Sequence, residues 1–269
     1  MTLSSFKKIP RRLKQIAEAL FSPSFSSALS SSDKLMNKMI ERYSTPTELD
    51  YYEKLVRLGL ESEELQAAFA AFKLFQGSPT ALVVGCGAGR ESFALEKMGY
   101  KVLGIDSSQS MIMRAQMVSS RIKSRVTFKQ GDVFSLSNAH FDFLFVSPAI
   151  IGHIPTQTKR VEFLKKLHQL GNQNSVLFCL PYIRQLTPRD RLFWGSQILR
   201  FRWRGQNIWS PGDTVSSFLG NHNTDAGLLY YHFYPSFDHF ERELRLAGFL
   251  AQTSSEKYSF TRADVVSII

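Results

Sequence analysis

Cysteine is scarce in this chain: Cys86 and Cys179 are the only two in 269 residues. Two thiols build neither a disulfide framework nor a zinc cluster, and a reducing, cytoplasmic setting suits them. No apolar run approaches the 18 or so residues that would suggest a transmembrane helix. No internal repeat is visible, so solenoids and propellers are set aside. Acid is also in short supply, with 23 Asp/Glu against 33 Lys/Arg and a net charge of +10. That excess is local. Residues 1–42 and 184–204 each carry +5, and the remainder is neutral. A hydrophobic fraction of 43% is ordinary for a globular chain with a substantial core. The length fits one large domain, or one domain with additions.

What is present is concentrated in residues 81–106, "ALVVGCGAGRESFALEKMGYKVLGID". Four apolar residues lead into Gly85-Cys86-Gly87-Ala88-Gly89, and Phe93, Ala94 and Met98 then recur at helical spacing. Gly99 ends that helix, and Val102, Leu103 and Ile105 make a second strand closed by Asp106. Strand, glycine turn, helix, strand and acid in this order form a nucleotide-binding unit. Glycines let backbone N–H groups approach a ligand closely. An acid about 20 residues on is placed for a ribose diol. The spacing is G-x-G-x-G rather than G-x-G-x-x-G, and Glu91 at the helix start would repel a phosphate. The turn therefore suits a ligand without phosphates.

On these residues the stretch resembles the class I S-adenosylmethionine-dependent methyltransferases, and the likeness extends through residues 80–182. Residues 105–111, "IDSSQSM", look like the family's second-strand tip, and residues 128–133, "FKQGDV", like its third-strand motif. Residues 141–147 resemble its fourth strand and residues 175–182 its fifth. The resemblance implies S-adenosylmethionine as cofactor. It would be held by Gly85, Cys86, Gly87 and Gly89 of the turn, and by Asp106, Ser107 and Met111. Gly131, Asp132, Val133 and Ser147 complete the set, with Asp132 meeting the adenine amino group and the next N–H its ring. One departure is clear. The family's acid two residues before the first glycine is Val83 here.

The implied fold is α/β, Rossmann-like, with a seven-stranded, mostly parallel sheet whose last strand is antiparallel. An N-terminal helical lid and an insertion after strand five would cover it. Residues 1–32 read as a basic amphipathic helix followed by a serine-rich linker. Phe6, Ile9, Leu13, Ile16 and Leu20 lie on one face, and Lys7, Lys8, Arg11, Arg12 and Lys14 on the other. Residues 33–78 form the helical lid, with one helix starting at Ser44-Thr45-Pro46 and stopping at Gly59. A second runs from Ser62 to Gly77. Residues 79–269 form the core, with a cap insertion at about 184–227. Within it, Thr187-Pro188 starts a helix that Gly205 ends, and residues 210–227 read as a polar loop. Residues 228–234 and 252–260 resemble the family's sixth and seventh strands.

Methyl transfer needs acceptor and methyl held in line, and an oxygen or amine acceptor gives up a proton that a base can take. His153 follows the fourth strand, beside the expected methyl position, and is the catalytic candidate. Tyr43, Tyr52, Trp209, His222 and Tyr231 are the substrate-binding candidates; His232 and Tyr230 lie nearby. No metal site is expected, because no paired carboxylates follow the fourth strand. Ser147-Pro148-Ala149-Ile150 replaces the Asn/Asp-Pro-Pro-aromatic box of base methylators, so nucleic acid is not an expected partner. The leading expectation is O- or N-methylation of a small-molecule acceptor. The alternatives are a lipid or quinone acceptor at a membrane surface, reached through the basic N-terminal helix, and a non-catalytic S-adenosylmethionine-binding module that interacts with RNA or protein.

Overall fold

In the computed structural model, residues 32–137, 139–184, 187–188, 192, 195, 210, 212–216, 229–251 and 265–268 are described. The basic segment and linker of residues 1–31, most of the 184–227 insertion, Trp209, His222 and the strand expected at 252–260 lie outside them.

Five parallel strands make up most of the sheet: β1 (Thr80–Val84), β2 (Lys101–Asp106), β3 (Thr127–Gln130), β4 (Phe141–Val146) and β5 (Gly171–Cys179). They lie in the order β3-β2-β1-β4-β5. Alternation along the strands divides the core in two. Leu82, Val84, Leu144, Val146 and Leu177 enter one cluster. Ala81, Val83, Phe143, Phe145 and Phe178 enter the other. Helices α4 (Arg90–Lys97) and α5 (Gln109–Ile122) cover the Val83 face, together with α3 (Ser62–Phe72), which presents Ala67, Ala68 and Ala71. On the Leu82 face, α7 (Gln157–Leu170) presents Phe163, Leu164 and Leu167, and α8 (Phe237–Leu246) presents Phe240 and Leu244. With both faces covered, β1 is apolar and buried from Ala81 to Val84, as a parallel interior strand must be.

The chain turns away from β1 toward one face and from β4 toward the other. That places a crevice beyond the carboxyl ends of these adjacent strands, where open α/β sheets hold ligands. Three elements lie on this end: α1 (Ser32–Tyr43), α2 (Pro46–Leu55) and the short α6 (Ile150–His153).

Several boundaries depart from expectation. The fifth strand begins at Gly171 and ends at Cys179, because residues from 180 on leave the sheet. The second N-terminal helix stops at Phe72 rather than running to Gly77. Residues 213–216, expected in a polar loop, form strand β6 (Asp213–Ser216). It pairs antiparallel with β7 (Leu229–His232) in a separate two-stranded sheet. Residues 228–234 are therefore not the sixth strand of the main sheet. Beyond β5 that sheet continues with β9 (Val265–Ile268), antiparallel to it, and then β8 (Phe249–Ala251).

Where α8 meets α7, a buried ion pair replaces apolar packing. Arg160 Nη2 lies 2.9 Å from Glu243 Oε1, and Tyr234 donates to Glu243 Oε2 at 2.7 Å. Arg160→Met would leave Glu243 buried beside no cation, a loss of about 3–5 kcal/mol in such pairs. Chemical denaturation should show that loss for the single variant. Arg160→Met with Glu243→Met should recover most of it.

Candidate functional site

The site is built on Asp106, the last residue of β2. Its Oδ2 accepts the Gly87 N–H at 3.0 Å and its Oδ1 the Ser108 N–H at 2.9 Å. One carboxylate thus ties the turn after β1 to the start of α5. Burial pushes the Asp106 pKa up, and the two N–H donors oppose that. Each oxygen keeps acceptor capacity beyond its backbone bond.

Glycine is required by the turn at two positions. Gly85 has φ 72°, and a Cβ there would lie 2.4 Å from Ile150 Cδ1. Gly87 has φ 50°, and its open side is covered by the Tyr52 ring, with Cδ1 3.4 Å from where a Cβ would stand. Both φ values are left-handed, where other residues are strained. Cys86 is buried, and its thiol is pushed up first by burial, then by Asp106 and Glu91. It fills space beneath the turn.

Gly131 N–H donates to the Asp106 carbonyl at 3.0 Å, which sets the β3 tip beside the β2 tip. Asp132 Oδ1 accepts Phe134 N–H and Ser135 N–H at 3.0 and 3.1 Å, capping the 3-10 turn Val133–Ser135. Val133 N–H opens that turn, in the position helical bonding leaves unused. Ser107 follows Asp106 on the same loop, and its carbonyl accepts Gln130 Nε2 at 3.3 Å. Met111 is buried, its N–H donating to Ser108 Oγ at 3.3 Å. Ser147 ends the β4 side of the crevice. Its Oγ is buried without a hydrogen-bond partner, and its Cβ lies 3.8 Å from the Gly85 Cβ position. A buried orphan hydroxyl is costly, and a ligand group in the crevice would relieve it.

Val83, at the position of the family's usual acid, is fully enclosed in the core. The acids near the turn lie elsewhere. Arg90 is clamped by Glu64 of α3, Nη1 to Oε2 at 2.8 Å and Nη2 to Oε1 at 2.6 Å. Glu91 takes a third contact from Arg90 Nη2 at 2.9 Å. Burial raises the Glu91 pKa, and Arg90 opposes that shift. The acid expected to repel a phosphate is thus held against a cation.

His153 lies in α6, buried at 5% exposure. Its Nδ1 is 2.6 Å from the Tyr230 carbonyl and its Nε2 is 2.8 Å from the Tyr43 hydroxyl. A carbonyl only accepts, so Nδ1 carries the proton. In the neutral ring Nε2 then accepts from the Tyr43 O–H. Burial lowers the His153 pKa to about 4, against the Tyr230 carbonyl's pull upward.

Four of the sequence candidates come together here. Tyr43 meets Tyr52 with ring centroids 5.9 Å apart, and His153 meets Tyr231 at 4.7 Å. Tyr182 extends the wall at 5.7 Å from Tyr231. Strand β7 sorts its own side chains by period two: Tyr231 turns to this wall, whereas Tyr230 and His232 turn to the other side. There the Tyr230 hydroxyl and His232 Nδ1 both reach buried Asp213, at 2.7 and 2.6 Å. The sequence reasoning missed Tyr182, and also Arg42 and Glu48, a buried pair 3.4 Å apart. The period-two pattern of residues 229–234 was the one signal that separated the two sides. Among the described residues no group of His, Cys, Asp and Glu could hold a metal ion.

Known proteins resemble this chain in sequence and fold. Residues 81–173 match the family model described as a methyltransferase domain. Over 131 residues, 48% of this chain and 50% of the relative, the chain is 26% identical to a ubiquinone biosynthesis O-methyltransferase of Azorhizobium caulinodans. The chain thus spans about half the length of that curated relative. Among solved structures it is similar in fold to an S-adenosylmethionine-dependent methyltransferase from Methanosarcina mazei. The TM-score is 0.55 at 16% identity, covering 78% of this chain and 99% of the other. Magnesium protoporphyrin IX methyltransferase from Synechocystis, solved with bound S-adenosylhomocysteine, gives a TM-score of 0.51 at 18% identity. That match covers 86% and 97% of the two chains.

The lowered His153 pKa has a measurable sign. Unfolded, the ring takes a proton near pH 6.5; folded, it takes one only near 4. Its neutral burial therefore supports stability above pH 6.5, and that support is lost as pH falls from 6.5 toward 4. Between pH 7 and pH 5 the loss is about 2 kcal/mol. The stability difference between wild type and His153→Gln, measured by denaturation, should narrow by that amount over the same interval.

Proposed function

We propose that this chain, whose residues 81–173 match a methyltransferase-domain model, transfers the methyl group of S-adenosylmethionine to a small-molecule acceptor. The observation that carries this reading is the Asp106 carboxylate, fixed by Gly87 and Ser108 at the sheet's crevice. The residues present fit the cofactor. Asp106 would take the ribose hydroxyls. Asp132 and the Val133 N–H would take the adenine. Gly85, Gly87 and the orphan Ser147 hydroxyl would take the methionine end. When bound, S-adenosylmethionine supplies a methyl group activated by a positively charged sulfur.

The protein's part is to hold the acceptor in line, exclude water and accept a proton. α1 and α2 act as the lid, with the Tyr52 ring over Gly87 and Tyr43 against His153. The aromatic wall of Tyr43, Tyr52, Tyr182 and Tyr231 favours a small acceptor over a macromolecule. His153 is neutral and holds Tyr43 in place through its Nε2.

Asp106→Ala removes charge-assisted hydrogen bonds of about 1.5–3 kcal/mol. It should weaken binding of S-adenosylhomocysteine by roughly ten- to a hundredfold in calorimetry. Wild-type protein that binds neither S-adenosylmethionine nor its demethylated product would end this reading.

An acceptor at a membrane surface is the second reading. It is favoured by the likeness to a ubiquinone biosynthesis enzyme and by the basic, amphipathic residues 6–20. Salt-sensitive sedimentation with anionic vesicles, lost on deleting residues 1–32, would support it. No sedimentation at low salt would rule it out.

A further inference from the structure

We propose that Glu48 of the lid helix α2 binds the ammonium group at the methionine end of S-adenosylmethionine, in place of the acid that Val83 has displaced from β1. This deepens the methyltransferase reading above and rests on it. The glycine turn and the Ser147 hydroxyl offer the methionine end only neutral groups. An ammonium taken out of water calls for a carboxylate. Val83, enclosed in the core, cannot supply one.

The other acids around the crevice are engaged. Asp106 holds the turn and α5. Glu64 and Glu91 both grip Arg90. Asp132 caps its own turn, and Asp213 is filled by Tyr230, His232 and Ser210 on the far side of β7. Glu48 differs. It is buried at 6% exposure, and its Oε1 lies 3.4 Å from Arg42 Nη2, a long contact for a buried ion pair. Its Oε2 takes no hydrogen bond among the described residues and is still reached by solvent, as an oxygen that receives a ligand must be.

The lid sets Glu48 beside the turn. Ser44, where α1 gives way to α2, has its Oγ 2.9 Å from Ser108 Oγ, and the Ser108 N–H is on Asp106. One helical turn after Glu48, on the same face of α2, the Tyr52 ring covers Gly87. Glu48 therefore stands between the anchor of the ribose acid and the ring over the glycine turn. Burial above all, with the Glu48 charge among the lesser causes, raises the pKa of Tyr43, Tyr52 and Tyr231. The carboxylate thus lies on the side of α2 that faces the aromatic wall. Glu48 and Arg42 are neutral as a pair, and so is an end that carries one ammonium and one carboxylate. The pair can exchange its own contact for those two charges without burying a net charge.

The test is calorimetry on the full chain with two probes. S-adenosylhomocysteine carries the amino-acid end; 5′-methylthioadenosine keeps the adenosine and sulfur and lacks that end. Wild type should bind the first more tightly. Glu48→Gln should weaken S-adenosylhomocysteine by roughly ten- to a hundredfold and leave 5′-methylthioadenosine within about twofold. Asp106→Ala, by contrast, should weaken both alike. Arg42→Met combined with Glu48→Gln leaves no buried cation unanswered, so it guards against a single variant that fails to fold; it should show at least the same selective loss. Equal losses on both probes would mean that Glu48 only braces the lid, and would overturn the proposal. No loss on either, or a wild type that binds 5′-methylthioadenosine as tightly as S-adenosylhomocysteine, would overturn it too. A wild type that binds neither probe would instead sink the methyltransferase reading beneath it.

Discussion

The carboxylate of Asp106 is the constraint on which the rest of the site depends. It is half-buried at a strand tip, where burial alone would favour its neutral form, and the N–H groups of Gly87 and Ser108 hold it in place. Those same bonds shape the glycine turn and fix the start of α5. From Ser108 the connections continue outward. Its hydroxyl lies 2.9 Å from that of Ser44, just past the end of α1. Tyr43, the preceding residue, reaches His153, and His153 reaches the β7 backbone at Tyr230. The groups assigned to cofactor and acceptor therefore belong to one hydrogen-bonded assembly, and a shift at the turn would be felt at the aromatic wall.

Buried charge serves a second purpose in this fold. Arg90, between Glu64 and Glu91, fastens α3 to the first residues after the glycine turn. Arg160 with Glu243 fastens α7 to α8 on the opposite face. Such pairs add little net stability over apolar packing, but a misplaced partner is costly. They suit places where one helix must sit at one height above the sheet. Val83 fits the same picture. It is packed into the core, while Glu91 is held by Arg90 and Asp106 by backbone N–H groups.

Much of this was legible in the sequence because it is local. The alternate glycines, Asp106 and Gly131-Asp132 each announce themselves within a few residues, and the succession of the five parallel strands came with the resemblance. What escaped is long-range or short. β6 is only four residues within a polar stretch, and its partner lies 13 residues beyond its end, so no period could develop. Residues 228–234 have a strand's alternation, which says nothing about which sheet they join. Tyr43 and His153 were each visible as candidates, yet their pairing across 110 positions exists only once α1 is laid over the end of β4. Glu64 has the sequence context of a helix-capping acid, and it does cap α3; its grip on Arg90 depends on packing.

The most direct test of the central claim is a crystal structure of the full chain with S-adenosylhomocysteine bound. The ribose hydroxyls should lie on the Asp106 carboxylate and the adenine beside Asp132 and Val133, with the bond between Tyr43 and His153 intact. A ligand bound away from Asp106, or a Tyr43 drawn out of the site with α1, would contradict it.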